Sequence, residues 1–125
     1  MIPSLAGDEA AIILCEDNSV WVFGKGHLGF STSCDEIYSP IPIMINPAFF
    51  NHGDIIRVRA GIGCFGVVTA SGDLYTWGKN GINIGVGENR VQPFPFRVPI
   101  VTKVFDINFG FDHMIVQHVH SYQCV

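Results

Sequence analysis

Three groups of side chains in this 125-residue chain could do chemistry. The first is a thiol and an imidazole, Cys64 and His113, in two stretches written alike, "GIGCFGV" and "GFDHMIV". A thiol activated by an imidazole is a nucleophile. The second is His118, His120 and Cys124. Alternate residues of a strand face one side, so these could offer three ligands to a soft metal, but no fourth is evident. The third is "GKNGINIGVG", residues 78–87, rich in glycine and carrying Lys79. No Gly-Lys-Ser/Thr follows and no helix comes after it, so it is not a phosphate-binding loop. Cys34-Asp35-Glu36 is reactive in type, yet no histidine stands at a motif spacing from it. None of these groups amounts to a catalytic or metal-binding motif, so no catalytic residue, metal or cofactor is expected.

The elements that would position them come from a repeat. "DNSVWVFGKG" (17–26) and "SGDLYTWGKN" (71–80) share an outline: a polar turn, four strand-forming residues, then glycine. Placing Gly7 on Gly61 puts Gly24 on Gly78, Trp21 on Tyr75 and Phe23 on Trp77. Residue class matches at nearly every apolar position, which is what packing selects. Gly72 stands where Asn18 stands, and both residue types accept the positive φ of a tight hairpin turn. "SPIPIMI" (39–45) pairs with "QPFPFRV" (92–98), and "DIIRVRAG" (54–61) with "KVFDINFG" (103–110). A third copy opens at Gly110. The copies run over about 7–60, 61–109 and 110–125. A period of about 50 residues belongs to propellers and solenoids.

Strands are expected at 11–15, 20–23, 55–60, 65–70, 74–77, 103–109 and 113–119, joined by long loops, with a helical turn only near 47–51. Proline in the Pro-x-Pro runs implies an edge strand or a path across a surface. Val20 and Val22 face one side of their strand, and Trp21 and Phe23 the other. A strand apolar on both faces needs cover above and below, as a blade between two blades has. The fold class expected is therefore all-β, a partial β-propeller of about two blades of antiparallel strands, with a small sandwich of seven strands as the alternative.

The second copy, "GIGCFGVVTASGDLYTWGKNGINIGVG" (61–87), resembles the regulator of chromosome condensation repeat, "G-x-x-H-x-x-x-L-x-x-x-G-x-V-Y-x-W-G-x-N-x-x-G-Q-L-G". Gly61, Gly72, Tyr75, Trp77, Gly78 and Asn80 stand in pattern positions, and "INIGVG", with Gly85, resembles the family's "GQLGLG". The first copy departs from it: Ala10 replaces the histidine, Asn18 replaces a glycine, and "GHLGFS" (26–31) is a compressed form. The third keeps the histidine as His113. The resemblance covers nearly the whole chain. It implies a seven-bladed propeller, and a ring of that size needs about 350 residues or more, so the chain is expected to be a fragment of a larger propeller, an incomplete gene product or a protein that assembles with other copies. It also implies that Gly7, Trp21, Phe23, Gly24, Gly61, Gly72, Tyr75, Trp77, Gly78, Asn80, Gly85, Gly110 and His113 are scaffold positions. Cys64 and His113 would then approach each other because equivalent positions lie on adjacent blades.

Composition narrows the function. The net charge of −4 and scattered Lys and Arg argue against nucleic acid as a direct ligand. No stretch approaches the roughly 20 apolar residues of a membrane span. The start of the chain lacks the basic segment of a signal peptide, and the cysteines lack CxxC spacing, so an intracellular setting, cytoplasmic or nuclear, is expected. The leading expectation is a non-enzymatic scaffold that binds a protein partner through loops at about 30–40, 46–54 and 86–92. The alternative implied by the resemblance is a guanine nucleotide exchange factor for a small GTPase.

Overall fold

The computed structural model describes residues 2–6, 10–30, 35–79, 84–87, 90–100, 103–110, 113–118 and 122–124. Three antiparallel sheets follow one another along the chain. The first contains β1 (Ile2–Ala6), β2 (Ala10–Leu14), β3 (Val20–Gly26) and β4 (Ile37–Met44), in that order. The second repeats the order with β5 (Ile55–Gly61), β6 (Cys64–Thr69), β7 (Leu74–Gly78) and β8 (Gln92–Arg97). The third contains β9 (Val104–Phe109), β10 (Met114–His118) and β11 (Tyr122–Cys124). The first strands of successive sheets, β1, β5 and β9, lie beside one another. Strands β4 and β8 form the outer edges. This is a partial propeller.

The repeat is visible in the register. Ile13 faces Trp21 and Ala11 faces Phe23, as Val67 faces Tyr75 and Phe65 faces Trp77. Backbone hydrogen bonds recur in step: Cys15 N–H donates to Ser19 O and Thr69 N–H to Asp73 O, and Ile45 N–H donates to Val20 O and Val98 N–H to Leu74 O. Asn18 and Gly72 both have positive φ, 73° and 91°, as the turn requires.

Packing explains why the strands need apolar residues on both sides. Ile12, Leu14, Val20 and Val22 of the first sheet meet Phe65, Val67, Tyr75 and Trp77 of the second in one core. The opposite face of the second sheet, through Val68 and Leu74, meets Val104, Ile107, Met114 and Val116 of the third. The middle sheet is thus covered twice, and every residue of β6 and β7 is buried. Gly66 makes the second contact close, because a Cβ there would collide with the Ile107 side chain. Trp21 and Phe23, on the uncovered face of the first sheet, are only half-buried.

Two strands, β1 and β11, were not expected from the sequence. Segments 37–44 and 92–97, whose Pro-x-Pro runs left an edge strand or a surface path open because proline cannot donate to a ladder, are edge strands. As outermost strands they need partners on one side only, and the ladder from β3 skips Pro40 and Pro42 through a register shift. The short β1 and β11 carry no clear alternation. The helical turn near 47–51 is a 3₁₀ turn, Pro47–Phe50, capped by Asn46, whose side chain accepts from Ala48 N–H at 3.0 Å. Among the described residues no helix is long and apolar enough to cross a membrane.

Candidate interaction surface

Each sheet is tied to the next where a hairpin turn meets the first strand of the following sheet. The two such junctions differ at the hairpin-turn residue, Asn18 in one and Gly72 in the other. At the second junction the backbone carbonyl of Gly72 accepts from Val104 N–H at 3.0 Å. Lys103 lies so close that a Cβ on Gly72 would collide with its side chain. At the first junction Asn18 inserts a side chain. Its Oδ1 accepts from Ile55 N–H at 2.7 Å and its Nδ2 donates to Gly53 O at 3.2 Å. We expect Asn18→Ala to lower unfolding stability by about 1–3 kcal/mol in urea, since it removes both bonds and puts a less tolerant residue at positive φ. An unchanged midpoint would mean the junction is held by packing alone.

An open cleft of about 150 Å³ lies at the first junction. Its lining includes Val20, Ile45, Phe50 and Ile55, all buried, and the polar residues Asp17, Ser19 and His52. The Asp17 carboxylate accepts from Ser19 N–H and from Ser19 Oγ–H, which holds its pKa below the usual carboxylate value. Trp21 Nε1–H donates to Ser19 Oγ at 2.7 Å. Asn51 and His52 both have positive φ, 53° and 55°, so the chain turns sharply at the cleft rim. The cleft falls in the 46–54 loop region expected to carry recognition, joined by a hairpin turn that sequence reasoning treated only as a turn.

The outer edge carries exposed apolar side chains. Tyr38 and Ile41 of β4 are 70% and 65% exposed, and Phe49 of the 3₁₀ turn stacks on Phe94 of β8 with centroids 5.8 Å apart. The first half of strand β4 lies within the expected 30–40 loop, and residues 31–34, including Cys34, lie outside the described residues. Glu36 pairs with Lys79 at 3.7 Å, joining the first sheet's loop to the end of β7.

Beneath that pair His27 is buried and its Nδ1 has no hydrogen-bond partner. Burial holds its imidazole below the ordinary value, while Glu36 raises it, Lys79 lowers it and Asp35 raises it. An unfolded histidine protonates near 6.5, and the folded one below that. In that window the unfolded chain binds the extra proton, so stability falls as pH drops below about 6.5. The thermal midpoint should decline as the pH falls below about 6.5, and His27→Gln should flatten that decline. Identical pH profiles for the two proteins would contradict this.

The residue types that could have done chemistry are placed as follows, where described. Cys64 is buried, and burial pushes its thiol pKa up to about 12, so it is no nucleophile. Its sulfur lies against Gly61, where a Cβ would stand 2.7 Å from it. His113 holds the equivalent place against Gly110, with its ring 2.6 Å from a Cβ there, and Gly110 N–H donates to His113 O at 2.7 Å. His118 is buried, His120 lies outside the described residues, and nothing is described of the Cys124 side chain. Among the described residues no three metal-ligating side chains cluster.

The scaffold positions are placed as follows. Trp77 is fully buried, with Phe65 at 5.6 Å and Phe50 at 6.2 Å between ring centroids, and Gly29 lies on its indole nitrogen. Tyr75 is buried edge-on to Phe50. Gly24 and Gly78 stand where β4 and β8 shift register, and Gly85 packs on Val98. Gly7 and Asn80 lie outside the described residues. Sequence reasoning missed Gly66 and the bridging of Asn18. A glycine inside a strand of branched residues was the available signal for the first.

Comparison with known proteins agrees with this geometry. No family model matches the chain. It is 33% identical over 116 residues to the human RCC1-like G exchanging factor-like protein and 32% identical to the mouse protein of that name. Each alignment covers 87% of this chain and 25% of the relative, so the chain spans about a quarter of the length of the curated relatives it matches. The crystal structure of human WBSCR16 superposes with a TM-score of 0.85 at 30% identity, over 93% of this chain and 30% of that one. The Saccharomyces cerevisiae Prp20p structure, described with its binding properties to Gsp1p and histones, superposes with a TM-score of 0.74 at 22% identity, over 93% and 29%, and shows the fold alone. The recurring hairpin register, the sheets packed in series and these relatives together identify the chain as a segment of regulator of chromosome condensation (RCC1) type repeats, a partial β-propeller.

Proposed function

We propose that this chain is a protein-interaction module that binds a partner through the loops and outer edges of its sheets and performs no chemistry of its own. One observation carries the reading. Cys64 and the second copy's aromatics, Tyr75 and Trp77, are buried in packing, while a cleft and exposed apolar side chains at the outer edge remain open. Rigid sheets that hold variable loops are a common basis for recognition. The partner is a protein, and the setting is intracellular. The second reading is an exchange factor for a small GTPase. It is favoured by the name of the human and mouse relatives, and by the reported binding of Prp20p to Gsp1p.

Release of labelled GDP from a panel of small GTPases separates the two. The interaction reading expects no acceleration by this chain, and acceleration of any GTPase at micromolar chain would overturn it. A pull-down with Asp35→Lys/Glu36→Lys then asks whether the acidic loop is a contact. Unchanged recovery would leave the cleft and the apolar edge as the binding surface.

A further inference from the structure

We propose that the margin between β5 and β9 receives an acidic segment of a partner protein, with Arg57 as its anchor. The strand register places the arginines there. Across the β5–β6 ladder Arg57 stands opposite Val68, and Arg59 opposite Gly66. Cross-strand partners share a face, and Val68 and Gly66 face the third sheet. Both guanidiniums therefore come off β5 toward β9, where they meet one carboxylate, Asp106. Arg59 takes it: its Nη2 donates to Asp106 Oδ2 at 2.9 Å, while Asp106 Oδ1 accepts from Ile107 N–H at 2.8 Å. Arg57 Nε stands 3.7 Å from the same Oδ2, beyond hydrogen-bond distance.

Arg57 is held ready but not used up. Its Nη1 donates to Ile56 O at 2.9 Å, and among the described residues its Nε and Nη2 have no hydrogen-bond partner. The guanidinium lies over the Phe105 ring, 5.2 Å from the centroid, which orients the fork without engaging its N–H groups. The Arg57 side chain is 36% exposed and Phe105 44%, so that edge is open to a partner. Two cations against one carboxylate leave this margin positive on a chain of net charge −4. A stacked guanidinium with an open N–H edge complements a carboxylate in two parallel bonds. The repeat shows that the blade does not demand the pair. Scaffold positions keep their residue class from copy to copy, whereas the places of Arg57 and Arg59 are held by Pro3 and Leu5 in the first copy and by Asp106 and Asn108 in the third. Tying the two sheets takes one ion pair, which Arg59 supplies, and Arg57 is surplus to it.

This inference rests on the interaction reading only in assigning the carboxylates to a partner protein, and the test is independent of who that partner is. The ¹⁵N-labelled chain is titrated at low salt with acetyl-Asp-Glu-Asp-Glu-amide, and with acetyl-Asn-Gln-Asn-Gln-amide. The acidic peptide should shift the amides of Arg57, Phe105 and Asp106 at millimolar concentration, and molar salt should reverse the shifts. Arg57→Gln should weaken that binding about threefold while the urea midpoint stays close to that of the parent chain, because Arg59 still holds Asp106. Phe105→Leu, which keeps the charge but removes the ring beneath it, should weaken binding as well. No shift with the acidic peptide, equal shifts with the amide peptide, or full binding by either variant would each overturn the proposal. Larger shifts of these amides with inorganic phosphate at equal concentration would also overturn it. So would a urea midpoint lowered by Arg57→Gln as far as by Arg59→Gln, since Arg57 would then be a clamp between the sheets. Because Phe105 is exposed, its variant remains a fair test even if Arg57→Gln disturbs the fold. Peptide binding intact in a chain that recovers no protein partner would instead sink the interaction reading alone.

Discussion

Trp77→Ala lowers the free energy of unfolding by about 3–5 kcal/mol in urea denaturation. The ring has no exposed surface and is shared by elements from two sheets. Phe65 flanks it on its own sheet, Phe50 reaches it from the connecting turn, and Leu28 and Gly29 of the first sheet's loop cover it. Truncation removes the largest buried apolar side chain and leaves a void that three separate segments would have to fill together. Collapse is therefore incomplete, and the cost should lie at the upper end. The indole nitrogen makes no hydrogen bond, so no polar contact is lost to complicate the reading. Trp21→Ala, at the half-buried position on the uncovered face of the first sheet, should cost clearly less. Equal costs at both positions would mean that the second sheet is not the doubly covered one.

Gly78→Ala destabilises by about 2–4 kcal/mol, from two sources. The residue has φ 122°, which L side chains rarely adopt. A Cβ would also collide with the carbonyl of Gly63 and stand 2.6 Å from Cα of Cys64, and backbone atoms paired in a ladder cannot step aside. Gly87 separates the two terms. It has φ 90° and nothing within 4 Å of an added Cβ, so Gly87→Ala should cost only about 1 kcal/mol of conformational strain. Chemical denaturation of both variants checks this. A Gly87→Ala cost as large as that of Gly78→Ala would remove the collision from the account.

The repeat was legible in the sequence because packing writes residue class at fixed places. Trp21/Tyr75 and Phe23/Trp77 occupy matched places in the register because each must fill the same slot in its sheet. The turn was legible in Asn18 and Gly72 because few residues tolerate positive φ. The outer strands were legible only as one of two alternatives. Pro40 and Pro42, or Pro93 and Pro95, fit an edge strand or a path across a surface, and edge position is a property of the assembled sheet. The cleft was hidden for a related reason. It lies between a hairpin turn and a connecting turn that are distant in sequence. Only the packed junction shows that Asn18 reaches Gly53 and Ile55 through its side chain, where Gly72 meets Val104 through its backbone carbonyl.

The central claim is that the second sheet is sandwiched, with the first sheet on one face and the third on the other. Nuclear Overhauser contacts measure this directly. The account predicts contacts from the Trp77 ring to Phe50 and Phe65, and from Gly66 Hα to the Ile107 methyl, in the same folded species. A spectrum that places Trp77 in the core but shows no contact between Gly66 and Ile107 would contradict it. The third sheet would then not pack on the second, and the chain would not be a series of propeller blades.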